Sequence, residues 1–402
     1  METHQLLIQI ALILLAARLC AEVASWLKIP TIIGELSAGI ILGPSLLGFI
    51  TPNEVIGLLA EIGIILLLFE VGLETELNRL LKAGPRAAIV AIVGFILPLV
   101  LGFTVSYIIF ELSVLVSLFI GGTLTATSIG ITVRILSDLG RHNKTEGQIV
   151  LGAAVIDDLL GVFLLAVLYE FSHSNKIDIV NLGSVVLYVT AFFLLAPIAA
   201  KLLSPLIKRY SETSDIPGLI PIILVALVLF FAAIAHKVGA PHLLGGFVAG
   251  VALSRRFFLP LGTLIAPDIN FTDKIQQSMR PIIQLFTPIF FVMVGLSLDL
   301  SLVDWASSFI WLFSLSILAI AVLSKMAGPW LISESLHNRI AIGIAMVPRG
   351  EVGLIFAELG RSAGIFEPDI YAGLVLVIAY TTIASPIWIK LYYKRYHAKF
   401  IS

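Results

Sequence analysis

Hydrophobic and polar positions fall in long alternating blocks. Thirteen mostly apolar stretches run at roughly 5–24, 31–48, 55–73, 86–110, 114–137, 146–169, 180–203, 216–236, 239–258, 279–298, 304–330, 338–361 and 368–391, with short polar segments between them. A helix that crosses a bilayer needs about 20 such residues. The pattern therefore predicts thirteen membrane-spanning helices and an all-α polytopic membrane protein. Composition agrees: 59% of the 402 residues are hydrophobic and 13% are charged, against about 45–50% and 25% in soluble domains. The formal net charge of −1 implies no nucleic-acid partner. The single cysteine, Cys20, excludes an internal disulfide and a cysteine-based metal cluster. The first stretch has no basic segment before it and no A-x-A site before its end, so it reads as a retained helix rather than a signal peptide.

The charges orient the spans. Of 25 basic residues, 19 lie in or beside loops that follow odd-numbered spans, including the C-terminus. Lys176, Lys237 and Arg361 follow even-numbered spans, and Arg18, Lys325 and Arg349 lie inside spans. Basic residues mark cytoplasmic loops. The expected topology is an outside N-terminus and a cytoplasmic C-terminus, in a cell (inner) membrane.

The chain also repeats itself. PTIIGELSAGIIL (30–42) in the second span matches PHLLGGFVAGVAL (241–253) in the ninth, at an offset of 211. VGLETEL (71–77) in the third matches VGLSLDL (294–300) in the tenth, at an offset of 223. Partners lie seven spans apart, an odd number, so the copies face opposite ways. Inverted repeats are a hallmark of secondary transporters. Small residues also recur wherever membrane helices pack, but two matched segments in the same order favour a true repeat.

The same repeat pairs the fifth span with the twelfth. GGTLTATSIGITV (121–133) is dense in Gly, Thr and Ser, and AMVPRGEVGLI (345–355) has Pro348 and Gly350 at its centre. Both are candidates for broken helices, whose freed backbone groups can face an ion; small-residue packing is the other reading. Oxygen atoms of Thr125, Thr127 and Ser128 suit a hard cation. In the sixth span Asp157 and Asp158 stand side by side. One charge at a helix centre costs about 2.5–3.5 kcal/mol on insertion scales. The two point about 100° apart, so one can face a cavity while the other meets a neighbouring helix. Lys325 is the only lysine deep in a span, and a buried lysine needs a counter-charge. An aspartate–lysine pair would satisfy both, either as a structural pin or as part of a cation site. Arg18 and Glu22 are expected to pair at i, i+4. Glu35, Glu61 and Glu70 read as packing acids first and ion-path stations second. No GxxxxGK[ST] segment is present.

Taken together, GAAVIDDLLG, LTATSIGIT, SKMAGP and MVPRGEVGL resemble the cation/proton antiporter superfamily, most closely the sodium/proton antiporters of the NapA type. The resemblance covers essentially the whole chain. It implies that Asp158 binds sodium or a proton alternately, with Asp157 beside it, and that Asp157 pairs with Lys325 in a switch when the site is empty. It places Thr127 and Ser128 at the crossing of two broken helices, and makes Arg349 and Glu351 charge-compensating neighbours. It implies core repeats at 80–175 and 301–402, dimerisation helices at 1–79 and 213–300, and a linker helix at 176–212. The expected activity is exchange of sodium or lithium for protons, electrogenic, by an elevator movement in a homodimer, with no cofactor. Glu70 adds an acid to the family pattern, and Pro329 follows Lys325 closely. Potassium/proton or electroneutral exchange is the alternative. An intramembrane aspartyl protease would need its aspartates on two helices and a GxGD segment, which is absent.

Overall fold

The computed structural model describes residues 3–74, 77–174, 218–254 and 269–396, with isolated helical residues between 187 and 209. The seventh predicted span and the linker assigned to 176–212 lie mostly outside the described residues. Among those described there is no strand. In chain order the helices are α1 (Thr3–Trp26), α2 (Thr31–Leu42), α3 (Glu54–Glu74), α4 (Leu77–Ile108), α5 (Val114–Thr123), α6 (Ile129–Asp138), α7 (Thr145–Ser174), α8 (Leu219–Lys237), α9 (His242–Leu253), α10 (Ile269–Ser297), α11 (Ser308–Ala327), α12 (Leu336–Ala345), α13 (Glu351–Ser362) and α14 (Pro368–Arg395). Seven of them are long and apolar enough to cross a bilayer, and α2, α5 and α9 are shorter apolar helices.

The other twelve predicted spans all fall on described helices, but two are shorter than predicted. At 12 residues each, α2 and α9 rise only about 18 Å. In α2 the cause is Gly43–Pro44: the residue before a proline is pushed out of the helical region, and Gly43 is extended, at φ −80° and ψ −174°. The chain then folds back, with Ile50 N donating to the Leu42 carbonyl at 3.0 Å. Spans five and twelve are each two half-helices, α5 with α6 and α12 with α13.

The chain forms two compact units, one of residues 1–53, 83–177 and 291–402, the other of residues 54–82 and 178–290. The first holds α1, α2 and both pairs of half-helices. Its apolar centre joins Phe119 and Ile120 of α5, Phe313 and Ile317 of α11, Phe356 of α13 and Leu374 of α14. The second holds α3, α8, α9 and most of α10.

Within each unit the repeat is visible atom for atom. A Cβ added to Gly34 would lie 2.2 Å from the Cys20 carbonyl oxygen, and one added to Gly245 would lie 2.4 Å from that of Phe231. Both partners are 211 residues on, as in the sequence match. Gly39 meets the Val292 oxygen at 2.1 Å, and Gly250 meets that of Phe69 at 2.2 Å. Val292 and Phe69 differ by 223, the offset of the VGL segments. Gly295 on Leu36 and Gly72 on Phe247 complete the set. In lipid, apolar side chains gain little by leaving their surroundings, so close backbone approach holds helices together. That is why these positions are glycine in both copies.

Candidate functional site

The site starts with the interruption of two helices. Ser113 caps α5, its hydroxyl accepting from Val116 N at 3.4 Å, and Ser335 caps α12, accepting from Asn338 N at 3.2 Å. Ten residues later each half-helix stops. Leu124 and Met346 close them, Ser128 and Gly350 precede α6 and α13, and every one of these positions recurs at an offset of 222.

The two breaks bind each other. Ser128 N donates to the Pro348 carbonyl at 2.8 Å. Thr127 Oγ1 donates to the Met346 carbonyl at 3.1 Å and Thr132 Oγ1 to that of Ala345 at 2.8 Å. Arg349 Nη1 donates back to the Ala126 carbonyl at 3.0 Å. Interruption frees backbone groups that a membrane interior cannot hydrate, so they must be satisfied by protein or ion. Gly350 has its reason here: a Cβ would lie 2.5 Å from Ser128 Oγ. Thr125 Oγ1 donates to the Gly122 carbonyl at 2.8 Å, at the end of α5. Hydroxyls that donate in this way keep lone pairs that can accept or ligate.

The charges surround this crossing. Asp157 and Asp158 of α7, Lys325 of α11 and Arg349 are all buried. Lys325 Nζ donates to Asp157 Oδ2 at 2.7 Å, a charge-assisted bond between fully buried groups. Gly94 of α4 leaves room for the lysine, whose Nζ would lie 3.7 Å from a Cβ there. Arg349 Nη2 donates to the Ala321 carbonyl at 3.3 Å, one helical turn before Lys325, and the guanidinium lies within electrostatic reach of Asp157. Two aspartates and one lysine by themselves would leave a surplus negative charge. Arg349 changes that: with all four groups ionised, the charges cancel.

Glu351 opens α13; the compensating role expected of its side chain falls outside what the structure describes. The expected Arg18–Glu22 pair is not formed: the two are exposed on α1 without an ion-pair contact. Glu61 pairs instead with His242 of α9. Sequence reasoning missed Thr132 and Thr382, whose hydroxyls bind the Ala345 and Arg349 carbonyls. Thr381–Thr382 in an otherwise apolar span was the available signal for the second.

The arrangement suits an ion competing with protons, and both aspartates lie on one helix, which is wrong for a protease. Comparison with known proteins agrees. A family model described as sodium/hydrogen exchanger, transmembrane, matches residues 10–395. The chain is 33% identical over 395 residues to the Na(+)/H(+)-K(+) antiporter GerN of Bacillus cereus, covering 95% of both. It is 29% identical to a Na(+)/H(+) antiporter of Enterococcus hirae, over 97% of this chain and 98% of that one. Among solved structures it shares the fold of the sodium proton antiporter MjNhaP1 of Methanocaldococcus jannaschii, with a TM-score of 0.71 at 18% identity over 98% of both chains. Pattern, crossing and comparisons converge: this chain belongs to the sodium/hydrogen exchanger family, membrane cation/proton antiporters and not enzymes.

Proposed function

We propose that the protein exchanges sodium or lithium for protons, moving net charge in each cycle, and that Asp158 is the shared ligand. The observation that carries this is the Lys325–Asp157 bond at 2.7 Å beside the crossing. A low-dielectric site resists a change in net charge. With both carboxylates ionised, Lys325 and Arg349 protonated, the four charges cancel, so an entering cation must displace a proton. If the cation takes Asp157 from Lys325 and the lysine then releases its proton, the cation-loaded site is neutral. The proton-loaded site, with Asp158 protonated and Lys325 charged, carries one positive charge. Two protons then exchange for one cation.

In this reading the core repeats, 80–175 and 301–402, move as an elevator against dimerisation helices 1–79 and 213–300, linked by 176–212. The protein works as a homodimer in the inner membrane, N-terminus outside, and ion gradients replace any cofactor. Potassium is the second candidate, because GerN is named a Na(+)/H(+)-K(+) antiporter. The test is purified protein in liposomes under a pH gradient, with sodium, lithium and potassium added separately. Proton release driven by sodium or lithium, and enhanced by membrane potential, is expected. Release driven by potassium alone would reassign the cation, and release indifferent to potential would reject the charge movement.

A further inference from the structure

The two breaks treat their backbone carbonyls differently. In the second, the carbonyls of Ala345, Met346 and Pro348 accept from Thr132, Thr127 and Ser128 of the first. That of Arg349 accepts from Thr382 Oγ1 of α14. From 345 to 349, only the Val347 carbonyl lacks a donor among the described residues. In the first break Arg349 takes the Ala126 carbonyl, while that of Thr127 accepts no hydrogen bond among the described residues. Thr127 and Arg349 are repeat partners at the offset of 222. Their carbonyls are therefore equivalent, one open and one closed.

The repeat also accounts for what closes it. Asp158 lies 13 residues beyond the first residue of α7, and Thr381 lies 13 beyond the first of α14. Thr382 comes next. The second repeat thus carries two buried threonines within one residue of where the first carries its aspartates. Thr381 Oγ1 stays with its own helix, donating to the Val377 and Ile378 carbonyls at 2.9 and 3.0 Å. Thr382 reaches the break.

Little else holds the Arg349–Gly350 peptide. Its N–H, on Gly350, makes no hydrogen bond among the described residues. A planar trans peptide aims its C=O and N–H in opposite directions, so with the carbonyl on α14 the N–H is turned away from α14. Glycine at the far end lets the peptide rotate, and Ser128 Oγ of the first break lies 2.5 Å from where its Cβ would be. Without the Thr382 hydroxyl the carbonyl would be a buried acceptor with no donor, which is costly. Turning the peptide over would carry it away from α14, to the side where a cation could satisfy it.

We propose that Thr382 determines cation specificity by holding the Arg349 carbonyl out of the cation's coordination shell. Selectivity among monovalent cations depends on the number and field strength of carbonyl ligands. With this carbonyl withheld, the site offers few oxygens and favours the smaller ions, sodium and lithium. With it released, the site gains a ligand and turns toward potassium. The proposal rests on the reading given above for the place of the cation, beside Asp158 at the crossing.

The test compares apparent KM values for sodium and potassium in liposomes under a pH gradient. In Thr382→Val, which keeps the shape and removes the donor, the preference for sodium over potassium should fall about tenfold, the size of one buried hydrogen-bonding group. Thr382→Ser keeps the donor and should keep the wild-type ratio. Thr381→Val, the same change one residue earlier, should also leave the ratio unmoved. A merely structural role would lower the rates for both ions together and leave their ratio alone. The same ratio is read without transport, from the sodium and potassium concentrations that half-maximally raise the melting temperature in detergent at constant ionic strength. Wild-type protein that binds cations but exchanges none would sink the exchange reading, and the melting ratios would still decide on Thr382. Should Thr382→Val not fold, Thr382→Ala takes its place. A wild-type ratio in the folded variant overturns the proposal, as does an equal shift in Thr382→Ser or Thr381→Val.

Discussion

Asp158 and Lys325 carry the most exposed claims about single residues. Asp158 is buried on α7, next to a carboxylate already engaged by a lysine, and in the proposed exchange it is the acid that cation and proton share. Asp158→Asn keeps its shape and removes its charge. Exchange should fall to background while the protein still folds; pH-dependent sodium exchange by this variant would remove Asp158 from the mechanism. Lys325 bears on the charge moved. Each elementary charge crossing 100 mV is worth about 2.3 kcal/mol, so an electrogenic exchanger responds steeply to potential. In Lys325→Gln the second proton site is gone, and one cation would exchange for one proton at Asp158. The variant should exchange without responding to a potassium-valinomycin potential. A response equal to wild type would make the lysine a structural pin between α7 and α11. The sequence made this pair legible, because a lone buried lysine and adjacent aspartates each demand a partner. Arg349 as a charge-compensating neighbour was legible only through the family resemblance, because the direction of a long side chain is set by the crossing and not by its own helix.

At the scale of elements, the repeat fixes what can be changed. The glycines of α2 and α9 meet backbone atoms of other helices, which cannot rotate aside as a side chain can. Overpacking typically costs about 1–3 kcal/mol, and contact with backbone belongs at the upper end. Gly39→Ala and Gly250→Ala should therefore lower thermal stability to similar degrees, since they are equivalent positions. Gly57→Ala, where a Cβ meets nothing within 4 Å, should be neutral or slightly stabilising through its helix propensity. Melting curves of the three in detergent test this, and equal curves for Gly39→Ala and Gly57→Ala would contradict the packing account. The breaks were also readable, since Pro348, Gly350 and the Thr–Ser run all weaken a helix. The shortness of α2 was less so. Hydropathy continues through 43–48 although the helix does not, and the cue was Gly43–Pro44, a matter of backbone sterics and not of polarity.

For the whole molecule, orientation rests on charge alone, and this makes it testable apart from the chemistry. The residues between α2 and α3 include no lysine or arginine, nor do 298–307 between α10 and α11. Ser45 ties these two stretches together, its hydroxyl donating to the Leu298 carbonyl at 2.5 Å and accepting from Leu300 N at 3.0 Å. The α6–α7 connection holds Arg141 and Lys144, and the last turn of α14 holds Lys394 and Arg395. Basic segments are retained on the cytoplasmic side, where anionic lipid adds about 1 kcal/mol per basic residue near the surface. The bare loops should therefore face outward. A missed or invented helix before any loop would reverse the sides of all loops after it and blur the segregation, so its sharpness argues for the span count as well. Cys20 is the only native cysteine and can be replaced, leaving single introduced thiols to report. Pro52 and Lys144 are both exposed. In intact cells a thiol reagent that cannot cross membranes should label Pro52→Cys and spare Lys144→Cys. In inside-out vesicles the pattern should invert. Labelling of Lys144→Cys from outside would turn the molecule over.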